Sequence, residues 1–315
     1  MELLHDAFVA PFADMAGSPV FFLEVVIGGL MTGVMYSLVA LGFALIFKAS
    51  GVVNFAQGAM VLFAALTLVG LMEYGVPVWG AIIVTIVIMT ALAFVIERAM
   101  LRQLVNQPHI VLFMATIGLA FVFEGFGELL WGSNVKQLDI GIPDDPVIVP
   151  LGGSDLFINQ LDITAALTGA VLVAGLAVFL QKTTIGRALR AVADDHQAAL
   201  SVGIPLSVIW VVVWSVAGLV ALVAGIMWGA QTGVQFSLAL IAFKALPVLI
   251  LGGFNSVAGA VVGGLIIGVG EKIAEIYWGP VIGGAIENWF AYVIAMVFLL
   301  FRPQGLFGER IIERV

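Results

Sequence analysis

The residues able to do chemistry in this chain are few, and long apolar runs separate them. The densest group lies between Lys182 and Pro205, where Arg187, Arg190, Asp194, Asp195 and His196 fall within ten positions. Charges grouped on so short a segment suit recognition by another protein or by lipid headgroups rather than bond breaking. Lys244 stands alone in an apolar stretch. An ammonium inside a membrane span costs about 2.5–3.5 kcal/mol on insertion scales, so it must face protein or water. It can form a structural ion pair with Glu271, Glu275 or another acid, or attract the carboxylate of a passing solute. A straight hairpin turning near Phe254 puts Lys244 and Glu271 at different depths, which counts against that pair. Asn54, Gln57 and Gly58 open another apolar run. Uncharged side chains there either cap backbone groups or line a pathway or its inner gate.

Several chemistries lack their residues. The chain has no cysteine, hence no disulfide framework, thiolate metal site or cysteine nucleophile. No Gly-x-x-x-x-Gly-Lys-Ser/Thr phosphate loop occurs, so energy from ATP would have to come through a partner. No His-Glu-x-x-His motif or Ser–His couple suits an intramembrane enzyme, and the three histidines, His5, His109 and His196, fall in loops. A net charge of −8 without a basic stripe argues against nucleic acid.

The elements that position these residues follow from composition. With 62% hydrophobic and only 10% charged residues, and a mean hydropathy of +1.18, the chain belongs in lipid. About 20 apolar residues cross the hydrocarbon core. Such runs lie near 20–47, 54–72, 77–96, 110–131, 163–180, 206–229, 238–252, 257–277 and 281–301. They are continuously apolar rather than alternating, so the fold expected is an all-α polytopic transmembrane helix bundle of about 8–10 spans. The seventh run is short and broken by Pro247 and Gly252-Gly253. The first 18 residues carry Glu2, Asp6 and Asp14 but no Lys or Arg, unlike a signal peptide. The run after Pro19 is therefore expected to remain as a membrane helix.

Orientation follows from the basic residues. Lys48, Arg98, Arg102, Lys182, Arg187, Arg190, Arg302, Arg310 and Arg314 fall in alternate loops or the tail, whereas the opposite loops hold Asp139, Asp144, Asp145 and Asp155 with only Lys136 against them. This puts 182–205 and the C-terminus in the cytoplasm, and 132–162 and the N-terminus outside. The whole of 1–315 is then one transmembrane domain. Its extracytoplasmic loop 132–162, with Pro143, Pro146, Pro150 and Gly152-Gly153, is a turn-rich cap.

The segment 184–203 is expected to be one short amphipathic helix. Thr183 or Thr184 suits its N-cap, Ile185, Ala188, Leu189 and Val192 share an apolar face, and Gly203 and Pro205 end it. Such a helix either rests on anionic headgroups or inserts its stripe and charges into a partner's groove. Asp194-Asp195 favours the partner.

These segments resemble a known family. Gly186-Arg187-Ala188-Leu189-Arg190-Ala191, followed by Ala193-Asp194-Asp195, Ala198-Ala199 and Gly203-Ile204, is similar to the cytoplasmic loop of branched-chain amino acid permeases of bacterial ABC importers, the LivH-type half. Val53-Asn54-Phe55-Ala56-Gln57-Gly58 resembles the family's Ile-Asn-Phe-Ala-His-Gly, with Gln57 where histidine is common. Lys244-Ala245, Leu251-Gly252-Gly253, Gly259-Ala260, Gly263-Gly264 and the tail Pro303-Gln304-Gly305-Leu306-Phe307-Gly308 complete the likeness, which runs from about residue 25 to 308.

The resemblance implies a type II ABC importer-like permease in the bacterial inner membrane. Its partners would be a second related permease subunit, expected to be a different chain, two cytoplasmic ATPase subunits and a periplasmic solute-binding protein. No cofactor is expected on this chain, and ATP and Mg would be used by the partner ATPases. The helix at 184–203 becomes a coupling helix, with Gly186, Arg187, Ala188, Arg190, Asp194, Asp195, Ala198 and Gly203 as candidate ATPase-coupling positions. Asn54, Phe55, Gln57, Gly58, Lys244, Gly252 and Gly253 are candidate pathway positions. The solute would be a branched-chain amino acid or a related small amphipathic molecule such as urea, an amide or a hydrophobic acid. The other reading is a secondary transporter or channel that needs no ATPase. It calls for acids or a selectivity ring at mid-depth, and the sequence offers no convincing acidic relay.

Remaining features have plain structural readings. Gly259, Gly263, Gly264 and Gly268 put small residues on one helix face for close packing against a neighbouring helix or at a subunit interface, with Gly29-x-x-x-Gly33 as a weaker example. Trp210, Trp214, Trp228, Trp278 and Trp289 suit an aromatic belt. Glu24, Glu124, Glu128 and Glu287 are expected near outer ends, at the interface or at a docking point for a binding protein.

Overall fold

The computed structural model describes residues 8–105, 107–143, 145–151, 154–194 and 196–308. Asp195 of the candidate coupling set lies outside the described residues, as do His5, Asp144, Gly152, Gly153, Arg310 and Arg314. The described residues are overwhelmingly helical. In order they form α1 (Ala10–Gly17), α2 (Pro19–Ser50), α3 (Gln57–Glu73), α4 (Val78–Ile96), α5 (His109–Trp131), α6 (Gln160–Lys182), α7 (Thr184–Asp194), α8 (His196–Ser201), α9 (Leu206–Thr232), α10 (Ile241–Gly252), α11 (Val257–Ile282) and α12 (Phe290–Phe301). Six of the helical segments are long and apolar enough to cross a membrane, and Gln57–Glu73, Phe236–Gly252 and Phe290–Phe301 are shorter. The fold is an all-α polytopic membrane bundle.

Backbone packing divides the helices into two compact units. One holds the described parts of Met1–Ser37, Gly141–Thr168 and Lys244–Val315, and the other holds Leu38–Ile140 and Gly169–Phe243.

In the second unit α3 is buried at every position from Gln57 to Gly70, as an all-round apolar helix must be. It packs on α4, α5 and α9. Gly70 admits the Trp131 ring, which a Cβ would meet at 2.1 Å, and Gly225 of α9 lies against the Val61 carbonyl. The other helices of this unit turn large apolar side chains outward, including Ile83, Val87, Phe121 and Val171. Lipid is the solvent that suits such a surface.

The short helices are short because they start inside the bundle. Trp210 Nε1 donates to the Ala49 carbonyl at 3.1 Å, and Gln57 Nε2 donates to the Ala217 carbonyl at 3.4 Å. Ala217 stands seven positions beyond Trp210 on α9, about 10 Å further along its axis. Residues 51–56 therefore climb from the end of α2 to the start of α3 as irregular backbone, with Val52, Asn54 and Ala56 buried. Similarly, Val234 sits beside Gly229 near the end of α9, whereas Ala239 sits beside Gly58 at the start of α3. The 3₁₀ turn Phe236–Leu240 thus carries the chain back inward before α10 begins.

In the first unit the four glycines of α11 occupy two faces rather than one. Positions four apart share a face, but 259/263 and 264/268 are about 140° apart around the axis. Gly259 and Gly263 meet Gly252 and the Val248 carbonyl of α10, whereas Gly264 and Gly268 meet Gly33, Gly29 and Ser37 of α2. The tail 305–308 is tied to the end of α10: the Leu306 and Phe307 N–H groups donate to the carbonyls of Leu251 (2.8 Å) and Gly252 (3.1 Å), which helix geometry leaves unpaired.

Three segments depart from the sequence reading. The loop 132–162 contains an antiparallel hairpin, β1 (Pro146–Leu151) and β2 (Ser154–Asn159), whose Phe157 N–H donates to Glu24. The expected helix 184–203 is two helices, α7 and α8. The expected span 281–301 is replaced by a longer α11, a folded-back loop and the twelve-residue α12. In that loop Gly283, Gly284 and Ala285 all have positive φ, and the N–H groups of Ala285 and Glu287 donate to the Glu275 carboxylate at 3.1 and 3.0 Å. Nor do all the tryptophans form a belt. Trp210 and Trp214 are 4% and 2% exposed and belong to the core.

Candidate functional site

The α6–α7 elbow is built by local geometry. The Thr183 hydroxyl accepts from the Gly186 N–H at 3.0 Å, which starts α7. A Cβ on Gly186 would lie 2.1 Å from the Leu180 carbonyl oxygen, so only glycine permits the fold-back. Arg190 donates its guanidinium to that same carbonyl. Leu189 and Val192 are buried, and Ile185 and Leu189 close a cavity with Leu45, Leu176 and Val213. The apolar stripe of α7 is therefore spent on its own unit and is not offered to a partner.

The outward face is polar. Arg187 and Asp194 are exposed, as is Ala198 on α8. Ala188 is half-buried. The chain leaves α8 through Gly203 at φ +85°, with the Gly203 and Ile204 N–H groups donating to the Leu200 and Ala199 carbonyls, both at 3.0 Å. Beside this turn Leu200 and Val202 are 49% and 74% exposed. Among the coupling candidates, Gly186, Arg190 and Gly203 shape the elbow, while Arg187, Asp194 and Ala198 present its surface. Sequence reasoning took Leu200 as a rough extension of the apolar stripe, so its exposure is a departure, and it missed Val202. The signal for Val202 was an apolar residue falling off the Ile185–Leu189–Val192 stripe.

The pathway candidates at 54–58 form a sealed turn. Asn54 and Gln57 are fully buried. Asn54 Oδ1 accepts from the Ala56 N–H at 3.1 Å, and the Thr116 hydroxyl accepts from the Phe55 N–H at 3.2 Å. These bonds satisfy irregular backbone that lipid could not. Gly58 is required because a Cβ would strike the Ala239 carbonyl. Phe55 is half-buried, its ring edge-on to Phe113 at 4.9 Å and Phe243 at 6.5 Å. Gly252 and Gly253 hold the tail. A Cβ on Gly253, at φ +99°, would meet the Gly308 N at 2.8 Å.

Lys244 lies in an ionic cluster within the first unit. Its Nζ is 3.2 Å from Glu271 Oε1 and 3.4 Å from Glu287 Oε1. Tyr36 donates its hydroxyl to Glu271 Oε1 at 2.8 Å. The depth mismatch is bridged by side-chain direction. Val248 faces Gly263, so Lys244 is level with about residue 267, and its stem leans toward the N-terminal end of α10, toward Glu271. Glu275 instead caps the loop backbone. Glu271 Oε2 is buried with no partner among the described residues. Tyr36 and Glu287 were not read as Lys244's neighbours, because each joins the cluster only through tertiary packing.

Comparison with known proteins gives this geometry a family. Residues 25–302 match the model for the branched-chain amino acid transport system permease component. The chain belongs to that family. It is 28% identical over 305 residues to the high-affinity branched-chain amino acid transport system permease protein BraD of Pseudomonas aeruginosa, covering 93% of this chain and 98% of that protein. It is 26% identical over 306 residues to LivH of Escherichia coli K12, covering 94% and 98%. The structure also resembles PsaBC from Streptococcus pneumoniae in complex with Fab, at a TM-score of 0.50 and 15% identity, covering 92% of this chain and 94% of that one. That last likeness bears on the fold alone. In this permease the elbow, the sealed turn and the ionic cluster all lie within the matched span.

Proposed function

We propose that this chain is a transmembrane permease subunit of an ATP-binding-cassette importer in a bacterial inner membrane, moving a branched-chain amino acid or a related small amphipathic solute. The observation that carries this reading is the family match across 25–302 together with an elbow helix whose stripe is buried and whose charges face outward. The basic residues support a cytoplasmic elbow and C-terminus. The chain works with a second related permease, two ATPases that use ATP and Mg, and a solute-binding protein outside. When the ATPases close, they push on Arg187, Asp194 and the α7–α8 surface. Because α7 is clamped to the end of α6 by Gly186 and Arg190, the push tilts α6 and the helices packed against it. Alternating access follows from that tilt.

The test is reconstitution of the complex in proteoliposomes with the binding protein. Uptake of radiolabelled leucine should require internal ATP and should fall at least tenfold when the α7–α8 surface is altered in assembled complex. Uptake by the lone chain without ATP would favour the secondary-transporter reading instead.

A further inference from the structure

Among the described residues the ionic cluster holds one lysine between two glutamates. The two arms differ. The Glu271 side chain is 6% exposed and also takes the Tyr36 hydroxyl, whereas Glu287 is 50% exposed and stands on the folded-back loop. The Lys244 side chain is 24% exposed, so its own unit does not enclose it fully. The buried Glu271 Oε2 lacks a partner among the described residues. A purely structural pair would need neither the second carboxylate nor an open side. Charged side chains and irregular backbone at this end of α11 also make a poor surface for lipid.

The C-terminal half of α11 and the segment after it also form an apolar groove of about 340 Å³. Its walls include Gly270 and Ile286, the residues just before Glu271 and Glu287, together with Ala274 and Trp289. Apolar walls suit the side chain of a small solute, and the charged residues are chain neighbours of two wall residues rather than part of the wall.

We infer that Lys244 and Glu287 form a subsite for a zwitterionic amino acid, with the groove taking its aliphatic side chain. The solute's carboxylate replaces Glu287 on Lys244, and the released Glu287 takes the ammonium. The Lys244–Glu287 pair becomes two pairs, the Lys244–Glu271 pair persists, and the net charge does not change. Glu271 stays paired with Lys244 throughout, so the ammonium keeps a counter-ion while its second partner changes. Glu271 and Tyr36 are positioning residues that keep Lys244 in place through the exchange. This assignment rests on the reading of the chain as an amino-acid permease, and it adds the residues that recognise the head group.

The experiment is equilibrium binding of radiolabelled leucine to the assembled permease complex in nanodiscs, without ATP. Saturable binding is expected, weakened at least tenfold by Glu287→Gln in complex of unchanged thermal stability. The analogue 4-methylpentanoate, which lacks the ammonium, should compete at least tenfold more weakly than leucine. The double variant Lys244→Glu with Glu287→Lys, made in a Glu271→Gln background so that two carboxylates do not face each other, tests the structural alternative, since it restores the pair but reverses its geometry. It should not recover binding. Absence of leucine binding in the unmodified complex, unchanged affinity in Glu287→Gln, or recovery in the double variant would each overturn the assignment. ATP-dependent uptake that survives alongside such a result would leave the importer reading standing. Uptake without ATPases, with binding still sensitive to Glu287, would sink the importer reading and spare the subsite.

Discussion

Arg190 and Leu180 are joined across the α6–α7 elbow, the guanidinium donating to a backbone carbonyl at the end of the preceding helix. Arg187, three positions earlier, is exposed. Two arginines in one motif thus have different work. Arg187→Glu should reduce recovery of the ATPases with the permease severalfold while leaving the permease's own melting temperature unchanged. Arg190→Ala should lower that melting temperature and leave a complex that hydrolyses ATP with little uptake. Co-purification stoichiometry and thermal unfolding separate the two, and the same outcome from both variants would contradict the division.

The glycine contact between α2 and α11 should be intolerant of side chains. A Cβ on Gly268 would lie 2.5 Å from the Gly29 carbonyl oxygen, and one on Gly33 would lie 2.7 Å from that of Gly264. Gly268→Val should therefore cost about 1–3 kcal/mol or more through overpacking. Gly118→Ala meets nothing within 4 Å and should be close to neutral. Membrane yield and thermal unfolding of the two variants provide the comparison.

The reversal at the end of α11 holds a strained residue. Ala285 is at φ +55°, where a side chain costs about 1–2 kcal/mol relative to glycine. Ala285→Gly should relieve part of that strain, offset by glycine's greater unfolded freedom. A small rise in melting temperature is expected. Glu275→Gln, which weakens the carboxylate's hold on the Ala285 and Glu287 N–H groups, should lower it. A fall in the first variant would show that the loop conformation is not strained.

The turn before α3 depends on Asn54. Replacing it by Ala removes the acceptor for the Ala56 N–H in a fully buried place, at an expected cost of about 1–3 kcal/mol. Leucine affinity of the surviving folded protein should stay within twofold of the original, because the side chain is sealed away. A selective loss of affinity with unchanged stability would instead return Asn54 to the pathway.

The sequence by itself determined the solvent and the segments. Continuous apolar runs admit only helices in lipid, and those near 110–131, 163–180 and 206–229 sit inside α5, α6 and α9. The motifs around Asn54, Gly186 and Gly252 also marked the family, because each glycine answers a backbone contact that other residues would break. Three things were decided only by tertiary structure. Periodicity marked Ile185, Leu189 and Val192 as one face, but only packing showed that their own unit covers them. Hydropathy marked the short runs, but nothing local showed that α3, α10 and α12 begin after backbone folded back into the bundle. Lys244 was visible as a charge in need of partners, yet Tyr36 and Glu287 reach it from far along the chain. Local propensity depends on neighbours in sequence, whereas partner choice depends on which helices lie side by side and at what depth.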